Sequence, residues 1–131
     1  MVIAALIALQ LAAPLAELPP QPVPPGQCAL FLWDRASGRR IAMLGQTPPI
    51  LRLMQDGKTT DLPADSREGD AVLGFGPTSR FHAGQRLFDL RLIIAPATAG
   101  GALVQGGSLT ITEADGGAVV IPVAGLAGCP Q

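Results

Sequence analysis

Glycine and proline recur so often in this chain that few segments are long enough for a regular helix. The 131 residues include 16 glycines and 13 prolines, and no window after Cys28 keeps an amphipathic helical period over about ten residues. Both residue types disfavour helix interiors and are common in turns. Short apolar runs lie between them. This pattern predicts an all-β domain of about six to eight short antiparallel strands, folded as a small sandwich or a partly open barrel.

The strand-like runs group into hairpins. Residues 28–34 and 39–44 form the first, and 50–55 and 58–62 form the second around Asp56-Gly57, a pair that favours a type I′ turn. Residues 86–95 alternate most regularly, and 108–113 with 118–123 form the last hairpin. The stretch 63–80, rich in glycine and aspartate, is expected to be irregular. The predicted core consists of Leu30, Leu32, Leu44, Leu51, Leu53, Phe88, Leu90, Leu92, Leu109, Ile111, Val119 and Ile121.

The N-terminal segment differs from the rest of the chain. Residues 1–16 are almost continuously apolar and predict a signal peptide, although no basic residue precedes the apolar run. A start codon assigned too late would explain that absence. An uncleaved anchor, or a helix of the fold itself, is the alternative. Residues 17–27 are rich in proline and predict a stiff linker, which leaves residues 28–131 as the β domain.

Two cysteines frame the predicted domain. Cys28 opens it and Cys129 nearly ends it, and their spacing matches no zinc site. In an exported chain two cysteines most simply pair, and a bridge closing a loop of about 100 residues stabilises a fold by up to about 4.7 kcal/mol. Two free thiols are the alternative. Lipidation of Cys28 fits poorly because Gln27 precedes it.

The charge content excludes several partners. The formal net charge is −1, so no global basic field attracts nucleic acid or anionic lipid, and no cofactor motif is present. Arg35, Arg39 and Arg40 flank the first predicted turn, where three guanidinium groups would suit a phosphate, a carboxylate or an anionic glycan. Ordinary solvated charges are the alternative. Asp61, Asp65, Glu68 and Asp70 suit calcium only loosely, because their spacing matches no EF-hand.

Catalytic chemistry has few candidates in this sequence. His82 is the one histidine, with Ser79 three residues before it and Asp89 as the next acid. A hydrolase needs a nucleophile, a base and an orienting group that converge in space, and no G-x-S-x-G sequence is present. The glycine-rich run 74–79 lacks the lysine of a phosphate-binding loop. We therefore expect no catalytic residue and no metal ligand.

These observations together predict a periplasmic or secreted protein without enzymatic activity. The expected role is an interaction or structural module of a bacterial cell envelope, whose partner is an envelope protein or an anionic ligand. No nucleic acid and no stable membrane span after processing are expected. One alternative is a small-ligand carrier with an apolar interior. The other is a small hydrolase or metal-dependent enzyme that uses His82.

Overall fold

The structure, a computed structural model, describes residues 15–130. Residues 1–14, which hold most of the predicted signal peptide, and Gln131 lie outside the described residues. No helix within 15–130 has the length and apolar character needed to cross a bilayer. Eight strands follow one another along the chain: β1 (Ala29–Asp34), β2 (Arg40–Gly45), β3 (Ile50–Gln55), β4 (Lys58–Glu68), β5 (Thr78–Ala83), β6 (Arg86–Ile94), β7 (Gly101–Thr112) and β8 (Ala118–Gly128).

The eight strands form one closed antiparallel barrel. Each strand pairs with the next along the chain, and β8 returns to pair with β1. Among the eight strands within residues 15–130, closure leaves no open sheet edge that could pair with another chain. The all-β prediction and the strand number are confirmed, and the barrel is closed rather than partly open. Short connections suffice for this topology, which is why a chain rich in turn residues can adopt it.

The expectation that 63–80 is irregular is wrong at both ends of that stretch. β4 continues to Glu68, and β5 begins at Thr78. Pro63, which has no amide hydrogen, lies where β4 changes partner: it pairs with Ile50 of β3, and the next residue, Ala64, pairs with Phe81 of β5. A proline is tolerated at such a transition, whereas it would break a strand bonded on both sides.

The last two strands are longer than the sequence predicts. β7 begins at Gly101 rather than near Ser108, and its register with β8 shifts between Val104 and Ser108. β8 reaches Gly128 and closes against β1. At this closing seam a Cβ on Gly125 would overlap the carbonyl oxygen of Phe31. Glycine is therefore required there for the two backbones to approach.

Aliphatic side chains fill the barrel. Of the predicted core residues only Val119 is not buried: it lies beside the β7–β8 turn and is 45% exposed. Phe75 enters the core from the β4–β5 loop, at the end of the barrel that carries the cysteines, here called the disulfide end. The opposite end, with the β1–β2 turn, is the turn end. The largest fully buried side chains are Phe81, Phe88, Leu18, Leu30, Leu32, Ile41, Met43, Leu51, Leu53, Leu90, Leu109 and Ile111.

Residues 15–27, here called the strap, run along the outer face of β1–β3. Leu15 is 3% exposed and joins the main core, while Leu18 is fully buried in a second cluster with Met43. Further along, Arg52 Nη1 donates to Gln21 Oε1 (3.1 Å). The strap includes residues 17–27, which were expected to be a linker, and the end of the predicted signal peptide, and it is packed against the barrel.

Candidate functional surface

The disulfide predicted from the two cysteines is formed. Cys28 and Cys129 are 101 residues apart in sequence and are bonded at one end of the barrel. Side-chain bonds strengthen the same end, because the Cys28 amide donates to Gln46 Oε1 (3.0 Å) and Gln46 Nε2 donates to the Leu73 carbonyl (2.8 Å). The bridge thus ties together the two strands that close the barrel. Structural disulfides of this kind favour a location outside the cytosol.

The barrel interior offers no chamber of ligand size in the part of the chain that the structure describes. The cavity that reaches it, lined among others by Leu44, Phe75 and Phe81, has a volume of about 10 Å³, roughly the space of one water molecule. Small-molecule sites are usually pockets of several hundred Å³. Phe75 enters the core at the disulfide end of the barrel, and Leu15 enters it at the turn end.

The three arginines predicted to bind an anion do not share one set of contacts. Arg35 reaches across β8, and its Nη1 is 3.7 Å from the position that a Cβ on Gly106 would occupy. Arg40 instead contacts the strap, where its Nε donates to the Leu18 carbonyl (3.3 Å). Arg39 is exposed in the turn between them. Of the three, Arg35 is the one that lies over the outer face of β7.

His82 forms a pair with Asp65 that the sequence did not reveal. The Nδ1 atom lies 2.8 and 2.7 Å from the two carboxylate oxygens, across the pairing of β4 with β5. The neighbours considered from sequence are engaged elsewhere, because Ser79 is buried and Asp89 binds Arg80. The pair matches the base and orienting group of a catalytic triad. Within residues 15–130, however, the hydrogen bonds of the His82 ring all go to Asp65, so no hydroxyl or thiol nucleophile is bonded to the ring. The side chain of His82 is 49% exposed and that of Asp65 is 35% exposed.

The acidic residues near β4 do not assemble into a metal site. Asp61 lies on β4 and binds Arg52, and Asp65 binds His82. Within residues 15–130 no three histidine, cysteine or acidic side chains are grouped as metal ligands. The glycine-rich run also has a structural role, since Leu73 and Gly74 form a tight turn with positive φ that carries Phe75 into the core.

Ion pairs occupy much of the outer surface from β3 to β7. Arg52 makes two hydrogen bonds to Asp61, and Arg80 makes two to Asp89. Hydrogen bonding to these carboxylates raises the pKa of both arginines above the ordinary value. Arg86 also pairs with Glu113, Nε to Oε1 at 2.8 Å. These charges neutralise one another, so this part of the barrel presents little net charge to a partner.

The outer surface of β6–β8 is largely apolar, in contrast to the ion-paired surface just described. β7 and β8 contain no charged residue. Exposed large aliphatic side chains project from these strands: Ile93 is 62% exposed, Leu103 51%, Val120 62% and Leu126 53%. Leu103 and Leu126 are direct register partners, and cross-strand partners share one face of a sheet. A shallow groove of about 630 Å³ lies beside them. We call these four residues the apolar face.

Two further side chains border the apolar face. Trp33, the single tryptophan of the chain, is half-buried on β1 and pairs in register with Ala124 of β8. Arg35 lies over Gly106, the register partner of Ile93. The apolar face is aliphatic, and its border adds one indole and one guanidinium group.

The scarcity of charged residues near the C-terminus is a sequence signal for this surface. After Arg91 the chain contains only two charged residues, Glu113 and Asp115, both at the β7–β8 turn. A soluble strand usually alternates apolar with charged or polar residues. In β8 the positions expected to face solvent are instead occupied by Val120, Pro122, Ala124 and Leu126.

Comparison of this chain with protein-family models, with curated proteins and with solved structures found no match. Its function is therefore inferred from its own surface.

Proposed function

We propose that this protein is an exported interaction module of the cell envelope, without catalytic activity, that acts through the outer surface of its barrel. The observation that carries the proposal is the apolar face. Soluble proteins seldom expose several large aliphatic side chains together unless the surface contacts a partner. The packed interior supports the same conclusion, because it leaves the outside as the place for binding.

Export is supported by the disulfide and by the apolar sequence before the strap. A bridge between Cys28 and Cys129 forms and persists most readily in an oxidising compartment. The exposure of His82 and Asp65 supports a non-catalytic role, because general bases work best in clefts that exclude water.

In-cell photocrosslinking tests the proposal. A photoreactive amino acid is placed at Leu103 or at Leu126 in the native host, with Thr59 as the control position, because Thr59 is exposed on β4 away from the apolar face. We expect adducts to a defined molecule from the two leucine positions and not from Thr59. Equal labelling at all three positions, or recovery of the protein from the cytosol with reduced cysteines, would contradict the proposal.

A further inference from the structure

The apolar face carries information about the kind of partner it fits. We propose that it binds the surface of an anionic lipid bilayer, with the aliphatic side chains entering the headgroup region and Arg35 contacting lipid phosphate. This inference rests on the proposed function, since it names the partner of the same surface. It requires peripheral binding only and no span of the membrane.

The first argument is chemical composition. Side chains that enter a lipid surface are typically aliphatic or tryptophan, accompanied by lysine or arginine at the headgroup level. Leu103, Leu126 and Ile93 supply the aliphatic part, while Trp33 and Arg35 lie at the border. The aliphatic members are about half exposed or more, so their burial in lipid would remove substantial apolar area from water.

The second argument is charge. No acidic residue lies on β7 or β8 to repel an anionic surface. The nearby acid Asp89 is held by Arg80, whereas within residues 15–130 neither Arg35 nor Arg91 forms an ion pair with a carboxylate. Both arginines are exposed and remain available to phosphate. Two exposed acids without an ion pair within residues 15–130 lie further from Ile93: Glu68 is on β4, with β5 between it and Arg91, and Asp115 is at the β7–β8 turn. Arg91 is two residues from Ile93, and Arg35 lies over the register partner of Ile93. The charge next to Ile93 is therefore attractive, although the formal net charge of the chain is −1.

The third argument is shape. The exposed aliphatic positions lie on β6, β7 and β8, and Val120 and Leu126 are six residues apart on one strand, or about 20 Å at the rise of a β-strand. A row of side-chain tips on the convex outside of a barrel can enter a deformable surface such as a bilayer. A protein partner would need a matching concave surface, and interfaces of that kind are usually centred on aromatic or arginine anchors. Here Trp33 and Arg35 lie at the border, and the four residues of the apolar face are aliphatic.

Trp33 supplies a direct measurement because it is the single tryptophan. The oxidised protein is mixed with vesicles of phosphatidylglycerol and phosphatidylethanolamine, or with vesicles of phosphatidylcholine alone. We expect a blue shift of the Trp33 emission and co-flotation with the anionic vesicles, both weakened by high salt. Equal binding to phosphatidylcholine would overturn the role of Arg35, and no binding to either vesicle would overturn the proposal.

Matched variants separate the contributions. Arg35→Gln should weaken binding about fivefold, and Leu103→Asp about tenfold or more. Two control variants make the same kinds of change away from the apolar face. Lys58→Gln removes a positive charge at the β3–β4 turn, and Val23→Asp replaces an exposed apolar residue of the strap with an acid. Neither control should change binding. If Leu103→Asp fails to fold, Leu103→Gln serves, with formation of the disulfide as the check on folding.

The result also distinguishes this inference from the proposed function. Protein adducts from Leu103 in the cell, without vesicle binding, would overturn the lipid proposal and leave the interaction module intact. A concentration-dependent dimer that Leu103→Asp abolishes, without vesicle binding, would also overturn the lipid proposal. It would identify a second copy of this chain as the partner. Absence of any face-specific adduct would contradict both.

Discussion

The backbone of Leu18 is bonded to Arg40 in both directions. The Leu18 amide donates to the Arg40 carbonyl (2.8 Å), and Arg40 Nε donates to the Leu18 carbonyl (3.3 Å). This exchange fixes the strap beside the first residue of β2, at the turn end of the barrel. Leu15, three residues earlier, consequently lies within reach of the main core and is buried there.

The strap should therefore contribute to stability although it precedes the first strand. We expect Leu15→Ala to lower the free energy of unfolding by about 2–4 kcal/mol, because it removes a buried side chain from a packed core. Glu17→Ala, at an exposed position of the same segment, should change it by less than about 0.5 kcal/mol. Denaturant unfolding of the oxidised proteins measures both values. Equal effects would show that Leu15 does not stabilise the fold.

The same contact bears on processing of the chain. Cleavage after Ala16, at the end of the predicted signal peptide, would remove Leu15 and leave Leu18 in place. We expect the mature protein to retain Leu15, so that the intact mass of exported material corresponds to a start at or before that residue. A mature chain that begins at Glu17 would contradict this prediction.

The fold class could be predicted from sequence because it depends on local signals. Turn residues such as Asp56-Gly57 and the alternation in β6 mark strands without knowledge of their neighbours. Strand lengths could not be predicted in the same way. Pro63 is normally a strand terminator, and only the change of partner from β3 to β5 explains why β4 continues beyond it. Such a transition is a property of the closed sheet.

Among the site residues, too, local signals could be predicted from the sequence, whereas contacts that depend on strand pairing could not. The pairing of Cys28 with Cys129 could be predicted because the chain has two cysteines, and the structure forms it. The contact between His82 and Asp65 depends on the register of β4 with β5, and Asp65 lies in the stretch 63–80 that was predicted to be irregular. The scarcity of charge after Arg91 is visible in the sequence, but only the closed barrel shows which residues of β7 and β8 point outward.

The disulfide should stabilise the barrel by restraining its unfolded state. Replacing both cysteines with alanine should lower the free energy of unfolding by about 2–4 kcal/mol, because the closed loop is long. The strands should still pair, since β1 and β8 share a continuous register from Ala29 to Asp34. Denaturant unfolding, with far-ultraviolet circular dichroism to follow the sheet, measures this. An unchanged midpoint would show that the bridge is not a stabilising element.

Closure of the barrel should depend on one glycine of β8. Gly125→Ala places a Cβ against the Phe31 carbonyl oxygen, and backbone cannot move aside as a flexible side chain can. We expect a loss of at least about 2 kcal/mol, comparable to overpacking in a core. Gly128→Ala is the matched control, because it lies on the same strand and a Cβ there meets nothing within 4 Å. Similar stability of the two variants would contradict the close approach of β8 and β1.

The pair formed by His82 and Asp65 gives a prediction about function. Both side chains are substantially exposed, and ion pairs in such positions typically contribute about 0–1 kcal/mol. His82→Gln should therefore change the free energy of unfolding by less than about 1 kcal/mol. It should also leave binding to anionic vesicles unchanged, because His82 pairs with Leu87, at the opposite end of β6 from Ile93. Asp65→Asn should behave in the same way, since it alters the same pair.

A catalytic role for the pair would produce the opposite result. If His82 were a general base oriented by Asp65, either substitution would abolish the activity of the exported protein in its host while leaving the fold intact. Complementation of a deletion strain with each variant, together with thermal unfolding of the purified protein, separates the two cases. Loss of complementation by His82→Gln and Asp65→Asn at unchanged stability would replace the interaction module with an enzyme. Loss of complementation by Leu103→Asp alone would assign the activity to the apolar face.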